Sequence, residues 1–514
     1  MNVKNKILRN ICIPFILFLI VLSAISNKTS SQPYYVSSSG SDSYPGTLQY
    51  PFKTIDKAVS VVQAGQTIYV RGGTYTLTSP VIISKSGSSG SVISLFAYQG
   101  ERPVLDFSGM ALGSSNYGFK LTGSYWYIKG FDITGAGDNG MKIEGGSNNT
   151  IENCAFYRNR DSGLQLDNGA SNNTIRNCDS YFNADPTDYG DADGFAPKMN
   201  VGSGNYFYGC RSWRNCDDGF DGYLRGADDV TTTLENCWAF DNGYFEDGTD
   251  AGANANGNGF KMGGSDDKLL KHNFILKNCL AFKNKAKGFD QNSNKGSMTL
   301  YNCTGHNNLV ADYRINTTLA DGKTLIIKNC AVLGTAQIGS FAEQEKNSWL
   351  SPFVVTTGDF VSIDPAAAYG ARKSDGSLPD IQYMHLMAGS DLIDAGVNVG
   401  LPYAGTAPDL GCFETGLSGI SDIKIPVSVL IYPNPAVESA TLKFTLTSAG
   451  RCKVKLFDIT GRCIKTTAEQ EADPGEQEIA IDLSDVRNGI YICRITLNDV
   501  PVCTIRLVKA EGSR

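Results

Sequence analysis

Four aspartates and one lysine are the residues best able to do chemistry in this chain. Asp193 stands in Asp191-Ala192-Asp193-Gly194-Phe195, and Asp217, Asp218 and Asp221 crowd into Asp217-Asp218-Gly219-Phe220-Asp221. Lys261 closes Asn258-Gly259-Phe260-Lys261. All share one short pattern, a glycine followed by an apolar residue, which recurs at Gly140-Met141, Gly163-Leu164, Gly194-Phe195, Gly219-Phe220, Gly259-Phe260 and Gly288-Phe289. Aligning on these pairs puts Asn139, Ser162, Asp193, Asp218, Asn258 and Lys287 in one column. Lys142, Gln165, Ala196, Asp221, Lys261 and Asp290 fall in another. Asp193 and Asp218 then share a column, Asp217 lies beside them, and Lys261 follows Asp221 in its own.

Carboxylates crowded together require a counter-charge, and hard oxygen ligands select Ca²⁺. The three histidines, His272, His306 and His385, are never at metal-ligand spacing, which argues against a His-built zinc site, and Cys216 alone would not select a soft metal. A lysine beside a divalent cation is expected to have a lowered pKa and to serve as a base at alkaline pH. Gly257, Gly259, Gly263 and Gly264 leave room around it. Calcium with a lysine base suits β-elimination of a uronate polysaccharide, in which a weakly acidic proton α to a carboxylate is removed and the C4 oxygen leaves. Lys142, Lys198, Arg225, Lys283, Lys285 and Lys287 are the cations available for substrate carboxylates, with Lys198, Arg225 and Lys287 taken as the substrate-binding set. The plainer alternatives are that aspartate is common in turns and that Lys261 is a solvated lysine paired to Asp221 or Asp290.

The elements that must position these residues repeat. A cysteine, usually preceded by asparagine, is followed five residues later by asparagine at Cys154/Asn159, Cys178/Asn183, Cys210/Asn215, Cys237/Asn242, Cys279/Asn284 and Cys303/Asn308. A period in the twenties, with strand-length apolar runs and no helical periodicity, predicts a parallel β-helix. Equivalent positions stack at about 4.8 Å, so the cysteines form an inward column rather than a disulfide set, and the asparagines form a hydrogen-bonded ladder at a turn. The pattern widens between Asn183 and Asp193 and again over Gly243 to Gly257, where loops on the binding side are expected. Residues 34–60 read as an entry strand and a capping helix over about Ile55 to Val62, and residues 398–414 as the closing segment.

Composition agrees with this reading. Glycine is abundant (56 residues) and sits among Asn, Asp and Ser, which suits short strands and turns. A net charge of −7 argues against a nucleic-acid binder driven by bulk charge. Lys4, Lys6 and Arg9 precede an apolar run with small residues after it, which predicts a signal peptide over 1–31 cleaved between Ala24 and Gln32, and a secreted or cell-surface protein without a stable membrane span. The β-helix is assigned to 32–414, a linker to 415–428 and a small β-sandwich to 429–514. No oligomerisation signal is visible, and a monomer is expected.

Two resemblances follow from these motifs. Asp191 to Lys198, Asn215 to Asp221, Gly257 to Lys261 and Lys287-Gly288-Phe289-Asp290-Gln291-Asn292 resemble polysaccharide lyase family 9 over about residues 33–415. That resemblance implies a right-handed β-helix, pectate lyase or rhamnogalacturonan lyase activity on acidic plant cell-wall polysaccharide, Asp193, Asp217, Asp218 and Asp221 as calcium ligands, and Lys261 as Brønsted base. Tyr432-Pro433-Asn434-Pro435-Ala436, Leu456-Phe457-Asp458-Ile459-Thr460-Gly461-Arg462, Asp482-Leu483-Ser484 and Asn488-Gly489-Ile490-Tyr491 resemble the C-terminal sorting domain of the type 9 secretion system, whose machinery would be its partner. A β-helical polygalacturonase is a competing enzyme class, using clustered aspartates as acid and base. Its Gly-His-Gly and Arg-x-Lys motifs are missing, since Gly305-His306-Asn307 and Arg314-Ile315-Asn316 lack the required residues. A non-catalytic glycan-binding β-helix is the third reading.

Overall fold

Strands of three to six residues are too short to hold a sheet alone, so this chain stabilises them by stacking coil on coil. The computed structural model describes residues 32–416 and 429–510, except 447–449, 459–462, 468, 474 and 498–499. The expected signal peptide and residues 417–428 of the expected linker lie outside them. Three parallel sheets of 12, 10 and 10 strands form a right-handed β-helix. Each coil passes from the first sheet to the second and then the third, as in Ile93–Ala97, Pro103–Asp106 and Phe119–Leu121. The entry strand Tyr34–Val36 pairs with Thr67–Val70. The helix between them, Ile55–Val61, is capped by Thr54, whose side chain accepts from the Lys57 amide.

Strict register turns sequence positions into columns. In the first sheet Ile68, Leu95, Ile128, Ile151, Ile175, Phe207 and Leu234 stack inward. In the third, Phe195, Phe220, Phe260, Phe289 and Tyr313 stack ring on ring, with centroids 4.6–5.1 Å apart. The glycine before each apolar residue has a steric cause. A Cβ on Gly194 would lie 2.6 Å from the Gly219 carbonyl oxygen, and one on Gly219 would lie 2.6 Å from that of Gly259.

The expected cysteine column is present and its thiols are free and buried. Each donates to carbonyls, as Cys178 does to Ile151 of the preceding coil at 3.6 Å. The asparagine before most of these cysteines has a backbone reason. Asn153, Asn177, Asn236, Asn278, Asn302 and Asn329 all adopt left-handed φ, and Gly209 takes that place in the remaining coil. The asparagine ladder runs Asn159, Asn183, Asn215, Asn242, Asn284 and Asn308, each side-chain amide donating to the next residue's Oδ1 at 2.8–3.0 Å, and it ends on Asp312. A second ladder, Asn149, Asn173 and Asn205, sits five residues before the cysteines.

Residues 346–416, which contain only short 3-10 turns, pack along the outer face of the second sheet. Tyr369 meets Phe240 and Tyr383 meets Phe282, while Arg211 and Arg372 clamp Asp179. Burial alone would raise that carboxyl, but the two guanidiniums hold it at about 2. The C-terminal unit consists of two antiparallel sheets. One contains Val429–Tyr432, Ser439–Leu446 and Gly475–Asp482; the other is built on Gly450–Asp458, Gly489–Leu497 and Val500–Lys509. Leu442, Phe444, Val454, Leu456, Ile481 and Ile495 fill the space between them.

Asn242 donates to Asn284 and Ser212, and its Oδ1 receives Asn215. Asn242→Ala strands these buried groups and should cost about 2–4 kcal/mol, seen as a lower Tm with the β-sheet circular dichroism retained. An unchanged Tm would show that the ladder is not stabilising.

Candidate active site

The chemistry-bearing residues gather in the turns that lead into the third sheet. Register pairs Phe195 with Phe220 and Phe220 with Phe260, and aligns Asp221, Lys261 and Asp290 on successive coils. The insertion at Gly243 to Gly257 therefore leaves the stacking intact. Asp193, Asp217 and Asp218 each bring a carboxylate oxygen to within 4.8 Å of the others, and all three are buried. Asp221 stands beside this trio, between two lysines. Lys261 lies 2.9 Å from Asp218 Oδ2 and 3.3 Å from Asp221 Oδ1. Lys198 lies 2.6 Å from Asp193 Oδ2 and 3.7 Å from Asp221 Oδ2.

Backbone and amide donors hold the carboxylates. Asp193 Oδ1 accepts the Asp218 amide at 3.1 Å, and its Oδ2 accepts the Ser162 hydroxyl at 3.1 Å. Asp218 Oδ1 receives both the amide and the side chain of Asn258 at 2.7 and 2.8 Å. Asp217 Oδ1 receives the Asn256 amide at 2.5 Å, and Asp221 Oδ1 receives that of Tyr223 at 3.0 Å. The sequence reading assigned no role to Asn256, Asn258, Ser162 or Tyr223. Asn258 and Ser162 were visible in the Asp193/Asp218 column, whereas Asn256 depends on how the insertion folds. That insertion packs Ala251 and Ala255 against Ala192 and Cys216, and sets Phe245 against Tyr189. Burial there pushes the Cys216 thiol up to about 12, an inert group.

With all six groups ionised, four carboxylates face two ammoniums, an excess of two negative charges. Burial and neighbouring carboxylates push Asp193 and Asp217 well above the usual carboxylate range, and burial raises Asp218 as well. Asp221 alone goes down, because Lys261 and Lys198 outweigh its burial. The fall expected of Lys261 is the effect of a neighbouring cation; the carboxylates by themselves act the other way. Burial favours its neutral form, but Asp218, Asp221, Asp217 and Asp193 together hold its ammonium well above the ordinary lysine value. The expected fall presupposes that the excess charge is offset. Asp218 Oδ2 has no hydrogen-bond donor of good geometry among the described residues, only the Lys261 ion-pair contact. An all-oxygen donor set, an orphaned buried oxygen and two surplus charges together fit one divalent cation.

The other sequence-selected cations lie elsewhere or are already engaged. Lys198, expected to face substrate, is buried inside the cluster. Arg225 is exposed, 3.9 Å from Asp266, and Lys287 is 3.3 Å from Asp290. Lys142, Lys283 and Lys285 pair with Asp167, Asp241 and Asp250.

A right-handed parallel β-helix carrying a buried carboxylate cluster suits a polysaccharide lyase, and the comparisons show that this chain is one. The chain belongs to the Pel9A-like, right-handed β-helix family, which matches residues 34–342. Pectate lyase L of Dickeya dadantii (strain 3937) is 39% identical over 404 residues, covering 76% of this chain and 92% of its own. The crystal structure of pectate lyase Pel9A superposes with a TM-score of 0.70 at 38% identity, covering 75% of this chain and 97% of that one. A solved rhamnogalacturonan lyase gives 0.61 at 30% identity, covering 70% and 97%. Residues 430–509 match the secretion system C-terminal sorting domain, so the protein is secreted or displayed at the cell surface.

The turn column continues away from the cluster through a second acidic pair, Asp138 and Asp161. Burial and Asp161 push Asp138 up to about 7, while the Asn139 amide works against the shift. A folded pKa above the unfolded one means stability that is present below about pH 4 and is lost as pH rises through about 7. Relative to the wild type, Asp138→Asn should therefore gain up to about 4 kcal/mol between pH 4 and pH 8. Denaturant titrations at the two pH values check this; a constant difference between the proteins would refute the raised Asp138.

Proposed function

We propose that this protein is a calcium-dependent lyase that cleaves pectic uronate polymers by β-elimination, with Lys261 as the base. The observation that carries the reading is Lys261 itself, a buried amine held by Asp218 and Asp221 beside a carboxylate cluster that fits one divalent cation. Asp193, Asp217, Asp218 and Asp221 would hold the ion. When bound, calcium would offset the surplus negative charge and lend positive charge beside a substrate carboxylate.

The protein's own groups do the rest. Asn256, Asn258, Ser162 and the Tyr223 amide keep the four carboxylates in place without movement during reaction. Once the surplus charge is offset, the field that retains the Lys261 proton weakens and the amine becomes available. Lys261 Nζ then takes the C5 proton of the uronate. The C–H electron pair forms the C4=C5 double bond, and the C4–O bond breaks with its electrons. The leaving oxygen takes a proton from water and Lys261 returns its own to solvent, yielding one shortened chain and one unsaturated uronate end.

Pectate as substrate is supported by the names of the 39% and 38% identical relatives. The rhamnogalacturonan lyase neighbour supports a second reading with the same machinery on that backbone. Recognition of the C-terminal domain by type 9 secretion machinery completes the proposal.

Ultraviolet absorbance during incubation with polygalacturonate, and separately with rhamnogalacturonan, tests this at alkaline pH with calcium or chelator. A calcium-dependent rise is expected, and the substrate that responds names the backbone. New reducing ends without absorbance would establish a hydrolase instead. Lys261→Ala should lower the rate about a thousandfold with calcium binding retained, and activity surviving in that variant would remove the lysine from the mechanism. Asp218→Asn should raise the calcium concentration needed for half-maximal activity at least about tenfold; an unmoved calcium titration would exclude Asp218 as a ligand.

A further inference from the structure

Two lysines enter the cluster, and their surroundings differ. Lys198 belongs to the coil of Asp193 and directly follows the strand Phe195–Pro197. Its Nζ lies 2.6 Å from Asp193 Oδ2, 3.3 Å from the Asp191 carbonyl oxygen and 3.7 Å from Asp221 Oδ2. Three oxygens of the protein thus surround an ammonium that has three hydrogens to donate, and the side chain is only 6% exposed. Lys261 is held by two carboxylates, with the Tyr223 ring 5.5 Å away. Asp221 bridges the two, giving Oδ2 to Lys198 and Oδ1 to Lys261.

With both lysines charged, the four carboxylates leave a surplus equal to one divalent cation. Without Lys198 that surplus would be three negative charges in a buried site. Asp193 Oδ2 is moreover the oxygen that Lys198 occupies, so the ammonium and a cation compete for the same carboxylate.

We propose that Lys198 is a resident counter-ion: a positioning residue that braces Asp193 and Asp221 and keeps calcium binding moderate by occupying Asp193 Oδ2. It does not contact substrate. The inference rests on the calcium reading above.

Calorimetric calcium titration of the full chain, starting from chelator-treated protein, tests it with Lys198→Met and Lys198→Arg. Lys198→Met should bind calcium at least about tenfold more tightly, because a buried competing charge is gone. Its metal-free Tm should fall and be restored by calcium. Lys198→Arg should keep affinity and Tm close to wild type. In turnover, Lys198→Met should lose kcat with the KM for polymer unchanged. Equal or weaker calcium affinity in folded Lys198→Met would overturn the counter-ion role, as would a raised KM with kcat retained, which would make Lys198 a substrate contact. Should Lys198→Met not fold, Lys198→Arg decides, and a tenfold change in its affinity would count against a role set by charge alone. A wild-type protein that takes up no calcium would overturn this inference together with the metal reading, a result distinct from any failure confined to the variants.

Discussion

The structure depends on one constraint, in-register parallel pairing between successive coils. Once Phe195, Phe220 and Phe260 are stacked, every residue at a fixed offset from them is also stacked, at about the strand spacing of 4.8 Å. Apolar columns become the core, asparagine columns become ladders, and an acidic column becomes a cluster that no globular packing had to assemble. The site is thus a local substitution in a periodic lattice: Asn139 and Ser162 occupy the positions that Asp193 and Asp218 take two coils further on.

That periodicity also explains how such concentrated charge survives burial. Isolated buried carboxylates are strongly disfavoured, yet here each is met by a donor from an adjacent coil, as Asp193 is by the Asp218 amide and Asp218 by Asn258. The ladders beneath contribute the stiffness. Asn215 and Asn242, which sit at the base of the turns carrying Asp217 and the insertion, are bonded to each other and to their neighbours on both sides. The cluster is therefore fixed by backbone that is itself fixed, and the surplus charge cannot relax by moving the carboxylates apart.

Much of this was legible in the sequence because the signals are periodic. The Cys–Asn offset revealed the coils, and the Gly-apolar pairs supplied the register that joins Asp221 to Lys261 across the insertion. What stayed hidden depends on contacts without a period. Lys198 reads as a cation facing substrate, since nothing local indicates that its side chain turns back to Asp193. Asn256 gains its partner only because the insertion folds over Asp217. The second ladder, Asn149, Asn173 and Asn205, was present at a fixed offset but covers only three coils before Thr232 and Phe274 replace it.

The electrostatics of Lys261 are the most instructive part of the cluster, because the carboxylates act on it in the direction opposite to a cation. From sequence, a lysine beside a cation should be easily deprotonated. In the structure the carboxylates that would collect that cation are themselves the strongest influence on the lysine, and they favour its charged form. If Lys261 is the base proposed above, it is held protonated while the surplus charge around it is uncompensated, and a bound cation would release it. Basicity and cation binding are then two readouts of one electrostatic quantity, the net charge of six buried side chains. Lys198 belongs to that same quantity, since it shares Asp221 with Lys261.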